Sequence, residues 1–226
     1  VTDGPTATSC ADDETLAIVN AALHKLWAVA DELSRIRTKH PRMRVSIFGS
    51  ARIRPGQAAY EDAKRLATRL ATLGCDIVTG GGPGLMQAAN EGAQIGDPDN
   101  RVESIGIRVD LPFEQDANAF VEKLYRHGTF FTRLHHFVRT SDAYVVLPGG
   151  IGTTLETMMI WQLLQVRQLE GAPLILVGSM WERLVDWMRV HMIETTTPLA
   201  NPGDASIPVC VGTVDEAAAI IEAALR

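Results

Sequence analysis

The sequence predicts an α/β fold: a Rossmann-like, doubly wound parallel sheet in three layers, with an extra helix at its N-terminal side. Three observations carry that prediction. Short apolar runs rich in Val and Ile alternate with helix-period stretches from residue 45 to the end of the chain. Those runs lack the in/out polarity alternation of a half-wet sheet, as expected of strands covered on both faces. Glycine clusters stand where several of the runs give way to helix.

In chain order, Val1 to Glu14 is polar and without a basic start, so residues 1–14 are expected to be a disordered tail rather than a signal peptide. Leu16, Val19, Leu23, Leu26, Ala30, Leu33 and Ile36 then recur at helical spacing, predicting one amphipathic helix over Thr15–Lys39 that Pro41 ends. Strands are predicted at Val45–Phe48, Asp76–Thr79, Ser104–Val109, Ala143–Leu147, Pro173–Val177 and Ile207–Val211. Helices are predicted near Ala58–Leu73, Leu85–Ile95, Phe130–Thr140, Thr153–Arg167, Met180–Met192 and Val214–Leu225. The loops Gly96–Arg101 and Thr196–Ser206 read as surface excursions. With no repeat or linker in view, residues 15–226 are expected to form a single nucleotide-binding domain.

Composition narrows the function classes. Of 226 residues, 46% are apolar and 21% charged, ordinary values for a globular chain with a substantial core. A net charge of −6 and the lack of a dense Lys/Arg run argue against a nucleic-acid partner. No apolar run reaches membrane-spanning length, so no membrane partner is expected and the expected location is cytoplasmic. Cys10, Cys75 and Cys210 are odd in number, widely separated and without CxxC spacing, which suggests neither a disulfide framework nor a zinc site. No HExxH or comparable ligand cluster occurs, and neither metal nor cofactor is expected. His135 and His136 are adjacent on a predicted helix, so they point in different directions and cannot both face one metal.

The glycines locate the chemistry. The first strand ends in Phe48-Gly49-Ser50-Ala51, the second in Thr79-Gly80-Gly81-Gly82-Pro83-Gly84-Leu85-Met86, and the fourth in Leu147-Pro148-Gly149-Gly150-Ile151-Gly152-Thr153. In an open α/β sheet, ligands sit outside the carboxyl ends of strands. Without Cβ the backbone can approach an anion closely and adopt positive φ, so that successive N–H groups converge. The helix that follows adds its positive dipole end and unpaired amides. Gly49, Ser50, Gly80, Gly81, Gly82, Gly84, Met86, Gly149, Gly150, Gly152 and Thr153 are therefore expected to line a nucleotide phosphate site, with the Thr153 hydroxyl as a further donor. Neither glycine loop fits GxxxxGK[ST], and the Gly80 loop is not GxGxxG, so neither a P-loop nor a dinucleotide fingerprint is read here.

At these residues the chain resembles a known family. Thr79-Gly-Gly-Gly-Pro-Gly-Leu-Met86 followed by Pro148-Gly-Gly-Ile-Gly-Thr-Thr-Leu-Glu156 is similar to the PGGxGTxxE proteins of the LOG (Lonely Guy) family. Those are phosphoribohydrolases of cytokinin riboside 5′-monophosphates and related nucleotide 5′-monophosphate nucleosidases, long mislabelled as lysine decarboxylases. Leu111-Pro112-Phe113-Glu114-Gln115 with Asn118, and Phe130-Phe131-Thr132-Arg133, resemble the LPxEQ…N and FFxRK segments of the longer bacterial-type branch. The resemblance spans Arg44 to Val177.

What the resemblance implies is cleavage of the N-glycosidic bond of a purine nucleoside 5′-monophosphate, AMP or an N6-substituted AMP, to free base and ribose 5-phosphate. Arg133 and Glu156 match the family's functional arginine and motif glutamate, and Glu114 joins the substrate-binding set. Family members pair through helices in this region, so a homodimer or larger even-numbered assembly is expected. The physics agrees: positive charge develops on the ribose in an oxocarbenium-like transition state, which a carboxylate can stabilise while activating water. An arginine supplies a planar, permanently charged fork for phosphate. Three positions depart from the pattern: Leu134 stands where the family usually has Lys, Met159 where many members have Glu, and Gln162 where many have Thr. They motivate an alternative, a non-catalytic nucleotide- or cofactor-binding module. A lysine decarboxylase would need a Schiff-base lysine, and none of Lys25, Lys39, Lys64 and Lys123 lies in a glycine loop.

Overall fold

The computed structural model describes residues 14–22, 25, 40–110 and 116–226. Its contacts divide the chain into two units, Val1–Thr38 and Lys39–Arg226. In the first, residues 14–22 and 25 are helical; 15–22 and 25 fall in the span expected for the amphipathic helix, and Glu14, expected in the tail, belongs to the helix. The rest of that helix and the expected tail over residues 1–13 lie outside the described residues, as does the Leu111–Gln115 motif with Glu114.

The second unit is built on seven strands. They are β1 (Arg44–Phe48), β2 (Asp76–Thr79), β3 (Ser104–Val109), β4 (Lys123–His127), β5 (Ala143–Val146), β6 (Leu174–Val177) and β7 (Val209–Val211). Six helices accompany them: α1 (Ala58–Thr72), α2 (Leu85–Gly96), α3 (Phe130–Thr140), α4 (Ile151–Gln165), α5 (Ser179–Met188) and α6 (Val214–Ala224). The sheet order is β4-β3-β2-β1-β5-β6-β7, with every neighbouring pair parallel. The chain winds outward from β1 to β4, then returns to the other side of β1 with β5. The switch point of this doubly wound sheet thus lies between β1 and β5, and sheets of this kind take their ligands outside the strands' carboxyl ends at such a point.

Strand alternation divides the core into two layers. Val45, Ile47, Ile77, Val145 and Ile175 face Tyr60, Leu66 and Leu70 of α1, Ala88 and Ala89 of α2, and Ala217 and Ile221 of α6. Phe48, Val78, Ile105, Ile107, Tyr144 and Val146 face Phe137 of α3, Ile160 and Trp161 of α4, and Trp181 of α5. Every residue of β1, β2, β3, β5 and β6 is buried, so these strands are covered on both faces and lack the in/out polarity alternation of a half-wet sheet.

β4, with the sequence Lys-Leu-Tyr-Arg-His, was not anticipated. It pairs with β3 along five residues and forms the sheet's edge, so Lys123 and Arg126 are exposed and its composition is polar. Helix α4 begins at Ile151, two residues before the expected start, because Gly150 already occupies the N-cap. The helix expected over Met180–Met192 gives way after Met188 to a π-turn at Arg189–Ile193. The last strand keeps only Val209–Val211, since a 3₁₀ turn at Pro202–Ser206 takes up the chain before it. That turn is tied to α4 by Trp161 Nε1–H donating to Asp204 O at 2.9 Å.

Candidate active site

The glycine-bearing turns after β1, β2 and β5 meet at the switch point and are joined through one residue. Ser50 N–H donates to Pro148 O at 3.0 Å, and Ser50 O accepts from Leu85 N–H at 2.9 Å. Trp181 Nε1–H donates to Leu147 O at 3.3 Å and holds the third turn from behind. Both α2 and α4 start from a glycine N-cap, Gly84 and Gly150, without a side-chain cap. Helices α3 and α6, in contrast, are capped by Thr129 and Thr213. The first-turn amides of α2 and α4 therefore lack the side-chain acceptor that usually satisfies one of them.

Arg133 and Glu156 come together beside these turns. Thr129 starts α3, its hydroxyl accepting from Thr132 N–H at 3.2 Å, and places Arg133 in the first turn. The Arg133 Nε–H donates to Ile107 O at 2.9 Å, its Nη1 lies 2.9 Å from Glu156 Oε1, and its Cζ stands 5.2 Å from the Phe137 ring centroid. A Cβ on Gly80 would stand 2.6 Å from Arg133 Nη2 and 2.7 Å from Met86 Sδ, so the guanidinium and the Met86 thioether both press on that glycine. Glu156 lies on the buried stripe of α4 with Thr153, Thr157, Ile160 and Trp161. Burial raises the Glu156 carboxyl above its ordinary value, and the charge and hydrogen bond of Arg133 act against that rise. The pair gives a desolvated carboxylate fixed next to a cation that is itself held at a third point.

The other expected site residues fall into place unevenly. Gly49 is pressed by the Leu85 side chain, and Gly82 by Met86 Cε. The Gly81 N–H is committed internally, donating to Thr79 Oγ1 at 2.9 Å, so the expectation that successive glycine amides all face the ligand does not extend to it. Thr153 is buried with its side chain against Gly149, while Gly152 is exposed with open space around it. Leu134 is buried, so the departure from Lys there fills the core. Gln162 is exposed and bonds to Gln165 at 2.8 Å.

His127, the last residue of β4, meets α3. His127 Nε2 and His136 Nδ1 are 2.8 Å apart, and Tyr125 meets the His136 ring edge-on at 4.5 Å between centroids. The two imidazoles fasten α3, one turn beyond Arg133, to the end of β4. Burial, then the His127 and Arg139 charges, push His136 down to about 4. A histidine with a depressed folded pKa favours the folded state only while neutral, so its contribution is intact above about 6.5 and is lost as pH falls toward about 4. Stability of the parent is expected to decline across that window, and that of His136→Phe to decline less steeply, when denaturant midpoints are measured from pH 7 to pH 4. Equal slopes would contradict the role assigned to the imidazole pair.

Residues 86–223, more than half of the chain, match the family model described as "Possible lysine decarboxylase". A pyrimidine/purine nucleotide 5′-monophosphate nucleosidase of Escherichia coli strain K12 is 30% identical over 137 residues. The chain belongs to the LOG family. That alignment covers 58% of the chain, and the chain spans only 30% of the length of that relative. Among solved structures, the LOG-family fold here is similar to a molybdenum cofactor binding protein from Rippkaea orientalis, with TM-score 0.62, 17% identity, and 83% and 100% of the two chains covered. It is also similar to the molybdenum cofactor carrier protein of Chlamydomonas reinhardtii, with TM-score 0.60, 19% identity, and 81% and 98% covered. At those identities the likeness concerns the fold alone.

The family model's description would imply pyridoxal phosphate, and the two lysines described in the second unit, Lys64 and Lys123, do not fit it. Lys64 pairs with Glu61 and Glu91 on the α1–α2 side, and Lys123 pairs with Glu103 at the amino end of β4, away from the glycine turns. Among the described residues no group of three or more His, Cys, Asp or Glu could hold a metal ion, and no helix is long and apolar enough to cross a membrane.

Proposed function

We propose that this chain hydrolyses the N-glycosidic bond of a purine nucleoside 5′-monophosphate, AMP or an N6-substituted AMP, giving free base and ribose 5-phosphate. The observation that carries the reading is the pairing of half-buried Arg133 with buried Glu156 at 2.9 Å, set against Gly80 at the carboxyl end of β2. The 5′-phosphate is assigned to the glycine turns, where the uncapped starts of α2 and α4 favour an anion. Arg133 adds a charged fork there, and Ile107 O and Phe137 fix its orientation.

In the reaction the C1′–N bond breaks, the bonding pair leaves with the base, and water oxygen bonds to C1′. One water proton ends on the base, and the other stays on the oxygen as the C1′ hydroxyl of ribose 5-phosphate. Glu156 Oε1 is held by Arg133, and Oε2 is assigned to the ribose and the attacking water. A carboxylate at that place stabilises positive charge on the ring and draws a proton from water as it attacks. Burial strengthens both effects, because solvent screens the charge less. The test is release of free base from a panel of nucleoside 5′-monophosphates.

The assembly proposed with this activity is a homodimer. Helix α4 buries one stripe inside the protein and leaves Ile151 (89% exposed), Leu155 and Met158 in solvent on another side. An apolar face of that kind fits a subunit contact. Sedimentation at micromolar concentration is expected to give a two-copy species; a monomer alone would contradict the assembly.

A further inference from the structure

The turn at Gly80–Gly82 does not keep its shape unaided. Beneath it, Thr79, Asn90 and Ser104 are buried and bonded in series. Thr79 Oγ1–H donates to Asn90 Oδ1 at 2.7 Å, Asn90 Nδ2–H to Ser104 Oγ at 2.9 Å, and Ser104 Oγ–H to Phe120 O at 2.8 Å. Asn118, between β3 and β4, closes this network onto the turn. Its backbone N–H donates to Gly81 O at 2.9 Å, and its Nδ2–H donates to Gly82 O at 2.9 Å and to Asn90 Oδ1 at 3.1 Å. Its Oδ1 accepts from Phe120 N–H at 3.1 Å.

One residue therefore takes two consecutive carbonyls of the turn. Every peptide bond in the chain's described part is trans, so C=O and N–H of one plane point to opposite sides. With Gly81 O directed at Asn118, the Gly82 N–H is directed away from it. The next plane ends in Pro83, which has no N–H, and the Gly81 N–H is used by Thr79. Glycine planes rotate at little cost, and a rotation that brought either carbonyl outward would set its partial negative charge against an incoming anion.

We propose that Asn118 is a positioning residue for the substrate's 5′-phosphate. It pins the Gly81 and Gly82 carbonyls so that the Gly82 amide is the donor the turn offers to the anion. The inference rests on the phosphate-binding part of the proposed function and is independent of bond cleavage. It makes Asn118 act through the turn and without touching the reacting atoms.

The test compares Asn118→Ser and Asn118→Asp with the parent and with Ser104→Ala, titrating ribose 5-phosphate, AMP and adenosine by calorimetry. Asn118→Ser keeps the backbone contact to Gly81 and loses the Nδ2 contacts. It is expected to weaken ribose 5-phosphate and AMP about tenfold, the size of one lost hydrogen bond, with adenosine affinity unchanged. Asn118→Asp, which adds negative charge under the turn, should weaken the phosphates further. Ser104→Ala cuts the network away from the turn and should lower the melting temperature with phosphate affinity retained. Parental phosphate affinity in a folded Asn118→Ser, or equal weakening of adenosine, would overturn the proposal. A parent that binds AMP without releasing base defeats the catalytic reading and leaves this comparison intact; a parent that binds neither AMP nor ribose 5-phosphate defeats both.

Discussion

Glu156→Gln is expected to lower turnover by about 10²- to 10⁴-fold, the range for loss of a positioned acid–base group, while nucleotide affinity stays within a few-fold of the parent. The asymmetry follows from the geometry. Glutamine keeps an oxygen for the Arg133 Nη1–H at 2.9 Å, so the guanidinium retains a partner along with its bond to Ile107 O. What disappears is the negative charge that would face the ribose. Burial disfavours that charge in the folded protein, but its removal leaves the Arg133 cation without a counter-charge, so the melting temperature should fall in the free variant. Steady-state kinetics with calorimetry and thermal melts separate the three quantities. A variant with parental turnover would show that Glu156 is a structural ion-pair partner only.

Gly84→Ala should be the most damaging small change to the fold at the site, costing at least about 2–4 kcal/mol from backbone strain and steric conflict together. Gly84 has φ +74 and ψ −133, a conformation that L side chains rarely adopt. An added Cβ would also stand 2.6 Å from Ala51 C and 2.7 Å from its Cα, backbone atoms with no rotamer to escape into. The damage would spread, because Leu85 N–H bonds to Ser50 O and Ser50 N–H bonds to Pro148 O, so all three glycine turns share this contact. Gly152→Ala is the control: that glycine sits in helix α4 with nothing within 4 Å of an added Cβ. There alanine should be neutral or stabilising by up to about 1 kcal/mol, as intrinsic helix preference dictates. Urea denaturation of both variants measures the difference, and similar losses in the two would refute the role given to Gly84.

These two positions mark what the sequence made readable. The glycine turns were visible because each interrupts an apolar run and precedes a helix pattern, a local signal within about ten residues. The five doubly buried strands were visible for the same reason. Arg133 and Glu156 lie on different helices, and nothing local pairs them; they were connected only through the family resemblance, and the fold then placed them 2.9 Å apart. β4 escaped because an edge strand need not be apolar, and Lys-Leu-Tyr-Arg-His carries the charges that keep an edge from pairing with another chain. The Thr79–Asn90–Ser104 series, the Asn90–Asn118 contact and the His127–His136 contact escaped for another reason. They join polar residues 9 to 28 positions apart or on different strands, where spacing carries no periodic mark. The burial of Thr153 follows from the helix starting at Ile151, which turns that side chain inward beneath Gly149.

The most direct measurement is chromatographic analysis of AMP incubated with the purified chain. The account predicts adenine and ribose 5-phosphate in equal amounts, increasing with protein concentration and abolished or strongly reduced in Glu156→Gln. AMP recovered intact, alongside N6-substituted AMP and the other nucleoside 5′-monophosphates recovered intact, would contradict it even if each were bound.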